Sequence, residues 1–256
     1  MTWDGVKPIA VIARFVLLEA LRGGLPWLAL LCIAASAGLA AFLAQVALTE
    51  ARELQAAAAA ALLRASAAFL IAAHVVASVA REASERGLEL ALTLPISRST
   101  YYAGKLAGFA GCAVLLATAF AAPMLAWSAP LALASWWVSL AAETALVAAI
   151  ALFFSTALGG VVPAIAATAG LYLLGRSVST IQAIAAGPLV DQESTLRGIV
   201  DSLAFLIPRL DGATRTAWLL YDAPAPHDFT VALAGLAIHC AFFSAAGLFD
   251  FSRRDL

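Results

Sequence analysis

Six long apolar runs follow one another along the chain, separated by connections that contain charge, proline or glycine. The runs are residues 25–48, 56–80, 106–128, 131–156, 161–186 and 229–250. Each is longer than the roughly 20 residues that an α-helix needs to cross about 30 Å of hydrocarbon. A backbone in lipid has to satisfy its own hydrogen-bonding groups, so runs of this length predict helices. We therefore expect an all-α, polytopic membrane protein with six transmembrane helices.

The composition agrees with this pattern. Hydrophobic residues make up 63% of the 256-residue chain and charged residues 12%, and the mean hydropathy is +0.95. A soluble domain rarely exposes that much apolar surface to water. The formal net charge is −1 and no basic stripe lies outside the runs, so we expect no nucleic-acid partner. Residues 1–256 are expected to form a single transmembrane domain in contact with membrane lipid.

The distribution of basic residues orients the six runs. Lys and Arg near the spans are in excess on the cytoplasmic side of a membrane protein. With both termini inside, nine of the 15 basic residues lie on that side, namely Lys7, Arg14, Arg22, Arg81, Arg86, Arg98, Lys105, Arg253 and Arg254. Arg52, Arg197, Arg209 and Arg215 then lie outside. We therefore expect a multi-pass protein of the inner membrane with both termini in the cytoplasm.

Segments outside the runs carry predicted structure of their own. Residues 6–22 have charged and apolar positions at helical spacing and predict an interfacial helix before the first span. Residues 49–55 predict a short external loop. The connection 187–228 has six acidic and three basic residues, a balance typical of an external segment. Its stretch 195–210 predicts one or two short extracytoplasmic helices that end near Pro208, with a plain surface loop as the alternative.

A charged segment separates the second run from the third. It is residues 81–105, REASERGLELALTLPISRSTYYAGK. Pro95 is expected to end its first helix, because the residue before a proline leaves the α region. Ser99 or Thr100 is then expected to cap a second helix that enters the membrane through Lys105. A hairpin with this much charge cannot lie in lipid, so it predicts a cytoplasmic surface that another molecule contacts.

The order of residues in this segment resembles the ABC-2 family of ATP-binding-cassette transporter permeases. In that family the segment has an acidic residue, a glycine, an acidic residue and a leucine, then Pro, a hydrophobic residue and Ser-Arg, and finally Gly-Lys at the third span. This chain has, in that order, Glu82, Gly87, Glu89, Leu90, Pro95-Ile96-Ser97-Arg98 and Gly104-Lys105. Residues 206–211 (LIPRLD) and 218–221 (WLLY) resemble the external region of small members, and 251–256 (FSRRDL) resembles their usual ending.

The resemblance implies partners that the residue pattern alone does not identify. It implies that residues 81–94 form a coupling helix that docks on a separate cytosolic ABC ATPase subunit, and that two permeases form a homodimer on two ATPases. The expected ATPase-coupling interface comprises Glu82, Glu85, Arg86, Gly87, Leu88, Glu89, Leu92, Pro95 and Arg98. The chain has no GxxxxGK[ST] motif, because Gly104-Lys105 is followed by Leu106. We expect no cofactor in this chain, with ATP and magnesium bound by the ATPase.

Three charged residues fall inside the predicted spans, namely Arg64, Glu143 and Arg176. Counted from the outer ends of their runs, all three lie roughly 12–18 Å deep. Ionised groups are costly in lipid and usually face the interior of a bundle. The similar depths predict that Glu143 pairs with Arg176 or Arg64 and holds the fourth span against the fifth or second. Two alternatives stay open: Arg64 snorkels to the outer surface, or the cluster contacts a substrate.

The histidines and cysteines fit structural roles. Cys32, Cys112 and Cys240 are isolated within apolar runs and have no ligand or disulfide spacing. His74 and His239 are single residues in the second and sixth spans. We therefore predict no metal site and no catalytic residue in this chain.

Three functions are weighed on this basis. The favoured one is a permease subunit that couples ATP hydrolysis in a separate subunit to export or flipping of a substrate. The alternative is a transmission or assembly complex that moves no solute and acts on a periplasmic partner through residues 187–228. A secondary transporter is less favoured, because it leaves the charged hairpin unexplained and no broken-helix repeat is visible.

Overall fold

The computed structural model describes residues 6–46, 50–84, 97–186, 198, 200, 202–204, 207–213, 217–220 and 224–253. Every regular element in these ranges is an α-helix, which confirms the predicted all-α class. The helices are α1 (Val6–Arg22), α2 (Leu25–Val46), α3 (Ala51–Ser84), α4 (Arg98–Met124), α5 (Pro130–Leu158), α6 (Val161–Ala185), α7 (Leu210–Ala213), α8 (Ala217–Leu220) and α9 (Pro226–Arg253).

Six helices of the described part are long and apolar enough to cross a membrane. They are α2, α3, α4, α5, α6 and α9, with mean hydropathies of 1.4 to 2.2 in their most apolar stretches. The six predicted spans are thereby confirmed. We call the end of the bundle where α3 and α9 finish and α4 begins the lower end, and the opposite end the upper end. The position of α1 at a membrane interface stays a prediction.

The start of α3 differs from the sequence prediction. The loop expected over 49–55 is wrong beyond Glu50, because the chain is helical from Ala51 onwards. Alanines are strong helix formers, and Glu53 lies in the first turn, where its carboxylate interacts favourably with the helix dipole. The resulting helix of 34 residues is about 51 Å long, so it extends beyond the hydrocarbon core.

The start of α4 also differs from the prediction, because Ser97 rather than Ser99 or Thr100 is the N-cap. The Ser97 backbone is extended, and its hydroxyl accepts a hydrogen bond from the Thr100 backbone N–H at 3.2 Å. This bond satisfies one of the donors left open in the first turn of a helix. The helix therefore begins two or three residues earlier than predicted, and it runs through Lys105 as expected.

Tight connections join α4, α5 and α6 into consecutive hairpins, as the sequence predicts. α5 begins with Pro130, at a position where the missing N–H costs nothing. The C-cap that follows α5 is Gly159, which has φ +63° and therefore needs the conformational freedom of a glycine. The first of these turns is longer than predicted, because α4 already ends at Met124.

Helices α3, α4 and α5 form the centre of the bundle. Half of the most apolar stretch of α3 is buried, as are 44% and 61% of those of α4 and α5. The corresponding fractions for α2, α6 and α9 are only 17%, 22% and 17%. Large side chains such as Phe109, Phe120, Trp136 and Leu140 fill the core between the central helices. The three outer helices therefore present most of their apolar surface to lipid or to another chain.

Helix α1 packs against the lower half of α4, on a row of three glycines. A Cβ atom at Gly104 would lie 2.8 Å from Ile12, and one at Gly108 would lie 2.6 Å from Val16. Gly111 makes the third contact of this kind, with Leu17. Small residues allow two helices to approach closely in a membrane protein. Close packing on α4, rather than amphipathicity alone, therefore positions α1.

Gly108→Val should displace α1 and lower the thermal stability of the protein, because added methyl groups meet the Val16 side chain and the Ala13 backbone. Overpacking of this kind typically costs about 1–3 kcal/mol. The matched control is Gly38→Val in α2, where a Cβ would meet nothing within 4 Å. The midpoint of thermal unfolding in detergent measures both variants. Equal midpoints for the two variants would show that α1 does not depend on the glycine row.

The connection before the last span is seated on α6. A Cβ atom at Gly175 would lie 2.7 Å from the Pro208 carbonyl oxygen and 3.1 Å from the Leu210 side chain. Leu210 is buried in a small cluster with residues of α5 and α9. Among the described residues of this connection, 198, 200, 202–204, α7 and α8 are helical. The segment therefore packs on α6 at Gly175, ten residues before the end of that helix at Ala185.

Candidate functional site

The structure brings Arg64, Glu143 and Arg176 together from three spans. Arg64 Nη1 of α3 donates to Glu143 Oε2 of α5 at 2.6 Å. The second oxygen, Oε1, lies 3.6 Å from Arg176 Nη1 of α6 and accepts a hydrogen bond from the Tyr172 hydroxyl at 3.2 Å. Ser139 Oγ lies 3.1 Å from Arg64 Nη2. One carboxylate therefore connects α3, α5 and α6.

The central ion pair of this intramembrane cluster is almost completely buried. Arg64 is 2% exposed and Glu143 is fully buried, and the Arg64 guanidinium lies 5.3 Å from the centre of the Trp136 ring. An Arg64 that snorkels to the outer surface does not fit this position. The Arg176 side chain is 30% exposed, so it forms the open side of the cluster. Buried charges are stabilised by their ion-pair partners in place of water. Removal of one partner leaves the other charge uncompensated and destabilises the folded protein.

Sequence reasoning found the three charges but missed the side chains that orient them. Trp136, Ser139 and Glu143 lie three and four residues apart on one face of α5. Tyr172 lies one turn before Arg176 on α6. A search for polar and aromatic residues at helical spacing around each intramembrane charge would have found all three. Their role in holding the spans together stays a prediction.

A second ion pair lies at the lower end, between the end of α3 and the start of α4. Lys105 Nζ lies 2.6 Å from Glu82 Oε2, and the Tyr101 hydroxyl donates to Glu82 Oε1. The Lys105 side chain is only 6% exposed, and its ammonium also lies 5.9 Å from the centre of the Tyr101 ring. We call Glu82, Tyr101 and Lys105 the lower clamp. The clamp connects the two ends from which residues 85–96 depart.

Only two residues of the expected ATPase-coupling interface belong to the described part of the chain, Glu82 and Arg98. Glu82 is half-buried, and its carboxylate is bound within the chain by the lower clamp. Arg98 is the first residue of α4. The other seven lie outside the described residues, and they are Glu85, Arg86, Gly87, Leu88, Glu89, Leu92 and Pro95. Sequence reasoning missed Tyr101 and Lys105 as partners of Glu82.

A small cavity adjoins the lower clamp, among α3, α4, α5 and α9. Its volume is about 170 Å³, and Tyr102, Ser155 and Phe251 are among the residues that line it. The Tyr102 ring lies 6.0 Å from the Phe251 ring, and its hydroxyl lies against Gly247 of α9, where a Cβ would clash with it. The last span is thereby fitted to the start of the third, beside the clamp.

The remaining reactive side chains do not converge on a site. Within the described ranges, no group of three or more His, Cys, Asp or Glu residues could hold a metal ion. His74 makes an edge contact with the Phe109 ring at 6.0 Å, and His239 Nδ1 lies 2.8 Å from the Gly235 carbonyl oxygen. Cys32, Cys112 and Cys240 carry free thiols.

A family model described as ABC-2 family transporter protein matches residues 39–256. This chain belongs to the ABC-2 family. The matched region contains five complete spans, part of α2 and both charge clusters. Membership confirms the resemblance drawn from the order of residues in 81–105 and in the C-terminal region. A search of curated proteins finds no match.

Membership in the ABC-2 family gives the six apolar helices a general role. The family consists of permease-type transport subunits that are not themselves catalytic, and it implies an ABC ATPase partner in general. The chain is accordingly a multi-pass membrane protein whose six apolar helices fit a permease.

Proposed function

We propose that this chain is the permease subunit of an ABC transporter, and that it couples ATP hydrolysis in a separate cytosolic ATPase to export or flipping of a substrate. ABC-2 membership and the six apolar helices support the permease role. The observation that carries the coupling role is the lower clamp. Its Lys105–Glu82 pair fixes the last turn of α3 to α4, at the root of the segment expected to contact the ATPase.

In this proposal a displacement of residues 81–94 by the ATPase reaches the membrane through two ion pairs at different depths. The lower clamp passes the displacement to α4, because Lys105 is nearly buried between the core helices. The unbroken helix α3 carries it on to Arg64, whose bond to Glu143 passes it to α5 and α6. The lower end is then the cytoplasmic end, in the inner membrane, as the basic residues predict.

A homodimer is part of the proposal, and the surface of α6 supports it. Ser177, Ser179 and Thr180 are exposed on the upper half of this membrane-spanning helix, next to the partly exposed Arg176. Polar side chains in a span usually face a bundle interior or a water-filled route. A second copy packed against α6 would enclose these side chains and leave a polar route between the copies.

A transmission complex without solute transport is the second candidate. The packing of Pro208 and Leu210 on Gly175 favours it, because it connects the external segment 187–228 to α6 one residue before Arg176. A displacement of α6 would then reach a periplasmic partner directly. Crosslinks from residues 207–213 to a periplasmic protein are expected for this candidate, and ATP-dependent flux into reconstituted vesicles is expected for the first.

The coupling proposal is tested by purification of the tagged chain from native membranes. An ABC ATPase, identified by mass spectrometry, is expected to co-purify. Gly87→Trp and Glu89→Arg should each reduce the recovered ATPase at least about tenfold, because single central residues often carry much of the energy of an interface.

Glu53→Arg is the matched control, because it makes the same change of charge at the upper end of α3. It should recover as much ATPase as the unchanged chain. Full recovery with Gly87→Trp and Glu89→Arg would remove the docking role assigned to residues 81–94.

A further inference from the structure

The connection between α6 and α9 returns into the bundle and reaches the depth of the intramembrane cluster. Its residues Pro208 and Leu210 pack on Gly175, ten residues or about 15 Å below the end of α6. The next residue of α6 is Arg176, which lies 3.6 Å from Glu143. We call residues 208–210 the inner turn. The inner turn therefore lies at the level of the buried carboxylate and not at the upper end of the bundle.

The contacts of Leu210 indicate the same depth from the side of α9. Leu210 is 1% exposed and belongs to a cluster with Ile150 of α5 and with Leu236 and Phe243 of α9. Leu236 lies ten residues after the start of α9, which is again about 15 Å along a helix. Half of a bilayer contains roughly 15 Å of hydrocarbon. The inner turn is therefore deep in the hydrocarbon layer.

Arg209 is exposed at this depth, although both of its neighbours in the chain are buried. No described residue forms an ion pair with it. A guanidinium among lipid tails is costly, and charged residues at such a depth usually face a water-filled cavity or a charged partner. The end of α6 is farther away than an arginine side chain extends. We therefore expect Arg209 to face water or an anion.

A groove of about 720 Å³ lies beside Arg209, between the inner turn and α9. Its α9 side is lined by Val231, Ile238 and Phe242, which are 59%, 66% and 53% exposed. Gly235 lies between them, and a Cβ atom there would meet nothing within 4 Å. No residue of α6 lines the groove, so it is separate from the polar route expected between two copies. The groove combines the Arg209 cation with a wide apolar wall.

The acidic residue of the groove is far above the inner turn. Asp228 lies in the first turn of α9, about 12 Å above Leu236, and its Oδ1 lies 3.5 Å from His227 Nδ1. His239 lies nearer to the depth of Arg209, and its Nδ1 lies 2.8 Å from the Gly235 carbonyl oxygen within α9. Among the described lining residues, Arg209 therefore supplies the permanent charge at mid-depth.

We propose that this groove binds the transported substrate, and that the substrate is an amphiphile with an acidic phosphate headgroup. The proposal rests on the permease function above and names its substrate class. Arg209 binds the phosphate through charge-assisted hydrogen bonds, and the exposed side chains of α9 contact the acyl chains. A headgroup at this depth is midway between the two leaflets. The site therefore fits a step of transfer across the membrane, in contrast to lateral contact with a resident lipid.

The apolar wall distinguishes an amphiphile from a water-soluble anion. Val231, Ile238 and Phe242 offer no side-chain hydrogen bonds, so a small anion held at Arg209 would lose water contacts that the wall does not replace. An acyl chain needs no such replacement. The groove therefore suits a ligand that has both a charge and hydrocarbon.

Cysteine labelling of the chain alone tests whether anions reach Arg209. Cys32, Cys112 and Cys240 are replaced by alanine, and Ile238→Cys is placed in phosphatidylcholine nanodiscs. Two membrane-impermeant methanethiosulfonates, one anionic and one cationic, should both label it. Arg209→Gln should lower the ratio of the anionic to the cationic rate about tenfold, because a nearby positive charge concentrates anions. Arg209→Lys keeps the charge and should restore the ratio.

Leu31→Cys is the matched control for this measurement. Leu31 is 65% exposed on α2, about 22 Å below the end of that helix, and Ile238 lies about 18 Å below the start of α9. Lipid tails should cover Leu31→Cys and leave it unlabelled. The proposal is overturned if Ile238→Cys also stays unlabelled or if its labelling ratio ignores Arg209→Gln. A disulfide between two copies at Ile238→Cys would overturn it as well, because the groove would then be an interface between chains.

Lipid transfer by the complex with its ATPase tests the substrate class. ATP-dependent transfer of acyl-labelled phosphatidylglycerol in proteoliposomes should be at least about tenfold faster than that of phosphatidylcholine, and Arg209→Gln should remove the difference. Equal transfer of the two lipids, with the ATPase still co-purifying, would overturn the inference and leave the permease function in place. Failure of the ATPase to co-purify would contradict the permease function instead, while labelling of the chain alone still decides whether the groove admits anions.

Discussion

Glu143→Gln is expected to lower the free energy of unfolding by about 3 kcal/mol or more, because it leaves Arg64 buried without its carboxylate. For a chain of this size such a loss corresponds to a fall of roughly 6–12 °C in the unfolding midpoint. The glutamine amide keeps one acceptor oxygen and turns the other into a donor, so it can serve Arg64 or the Tyr172–Arg176 side but no longer both. Thermal unfolding in detergent, followed by size-exclusion chromatography, measures the effect.

Two matched variants separate the ion pair from simple loss of packing. Ser139→Ala removes one hydrogen bond to Arg64 and should cost only about 1 kcal/mol. The double variant Arg64→Met with Glu143→Leu replaces the two fully buried charges by apolar groups and should recover part of the lost stability, although Tyr172 and the partly exposed Arg176 lose their contact with the carboxylate. If Glu143→Gln leaves the unfolding midpoint, assembly with the ATPase and transport unchanged, the cluster does not hold the spans together.

If residues 81–94 dock on an ATPase as proposed, Lys105→Met is expected to release the end of α3 from α4 while the ATPase stays bound. The change removes the cation that holds the half-buried Glu82 carboxylate and leaves the Tyr101 hydroxyl as its described partner. Local opening of the last turn of α3 should become easier, with amide hydrogen exchange over residues 79–84 about tenfold faster. ATPase recovery should remain, in contrast to Gly87→Trp, whereas stimulation of ATP hydrolysis by the permease should fall.

Reversal of the clamp is the control for this prediction. Glu82→Lys combined with Lys105→Glu keeps the pair and should restore slow exchange at least in part, although the Tyr101 bond to Glu82 is lost. Arg81→Met breaks an exposed contact with Glu19 and should have a smaller effect on exchange. Exchange over residues 79–84 that is equal in Lys105→Met and the unchanged chain would show that the clamp does not hold α3.

The spans could be predicted from the sequence because the membrane imposes a length and a polarity on them. Hydrophobic runs gave all six helices, with their ends displaced by a few residues. The prediction of a loop over 49–55 was wrong because its charged residues were taken to lie before the start of α3. Once a helix leaves the hydrocarbon, its polar residues do not stop it, and alanines and a favourable first turn extend it.

Side-chain partners were less predictable, because hydropathy fixes the depth of a residue but not the direction in which its helix faces. Equal depth suggested a pairing of Glu143 with Arg64 or Arg176, but not that both meet one carboxylate. Glu82 was assigned to an outward surface, since nothing in the local charge pattern identified Lys105 as its partner 23 residues later. The contact of α1 with Gly104, Gly108 and Gly111 had a visible signal in their spacing, which is typical of close helix packing.

The unbroken helix α3 acts mechanically as a lever if Arg64 is its fulcrum. Arg64 is a buried residue of α3, and its side chain is hydrogen-bonded to Glu143 and Ser139 of α5. The arm down to Glu82 is about 27 Å long and the arm up to Ala51 about 20 Å. A tilt of about 5° would move the lower tip by roughly 2.4 Å and the upper tip by roughly 1.7 Å in the opposite direction. The stroke would thus arrive at the far side of the membrane reversed and reduced by about a quarter.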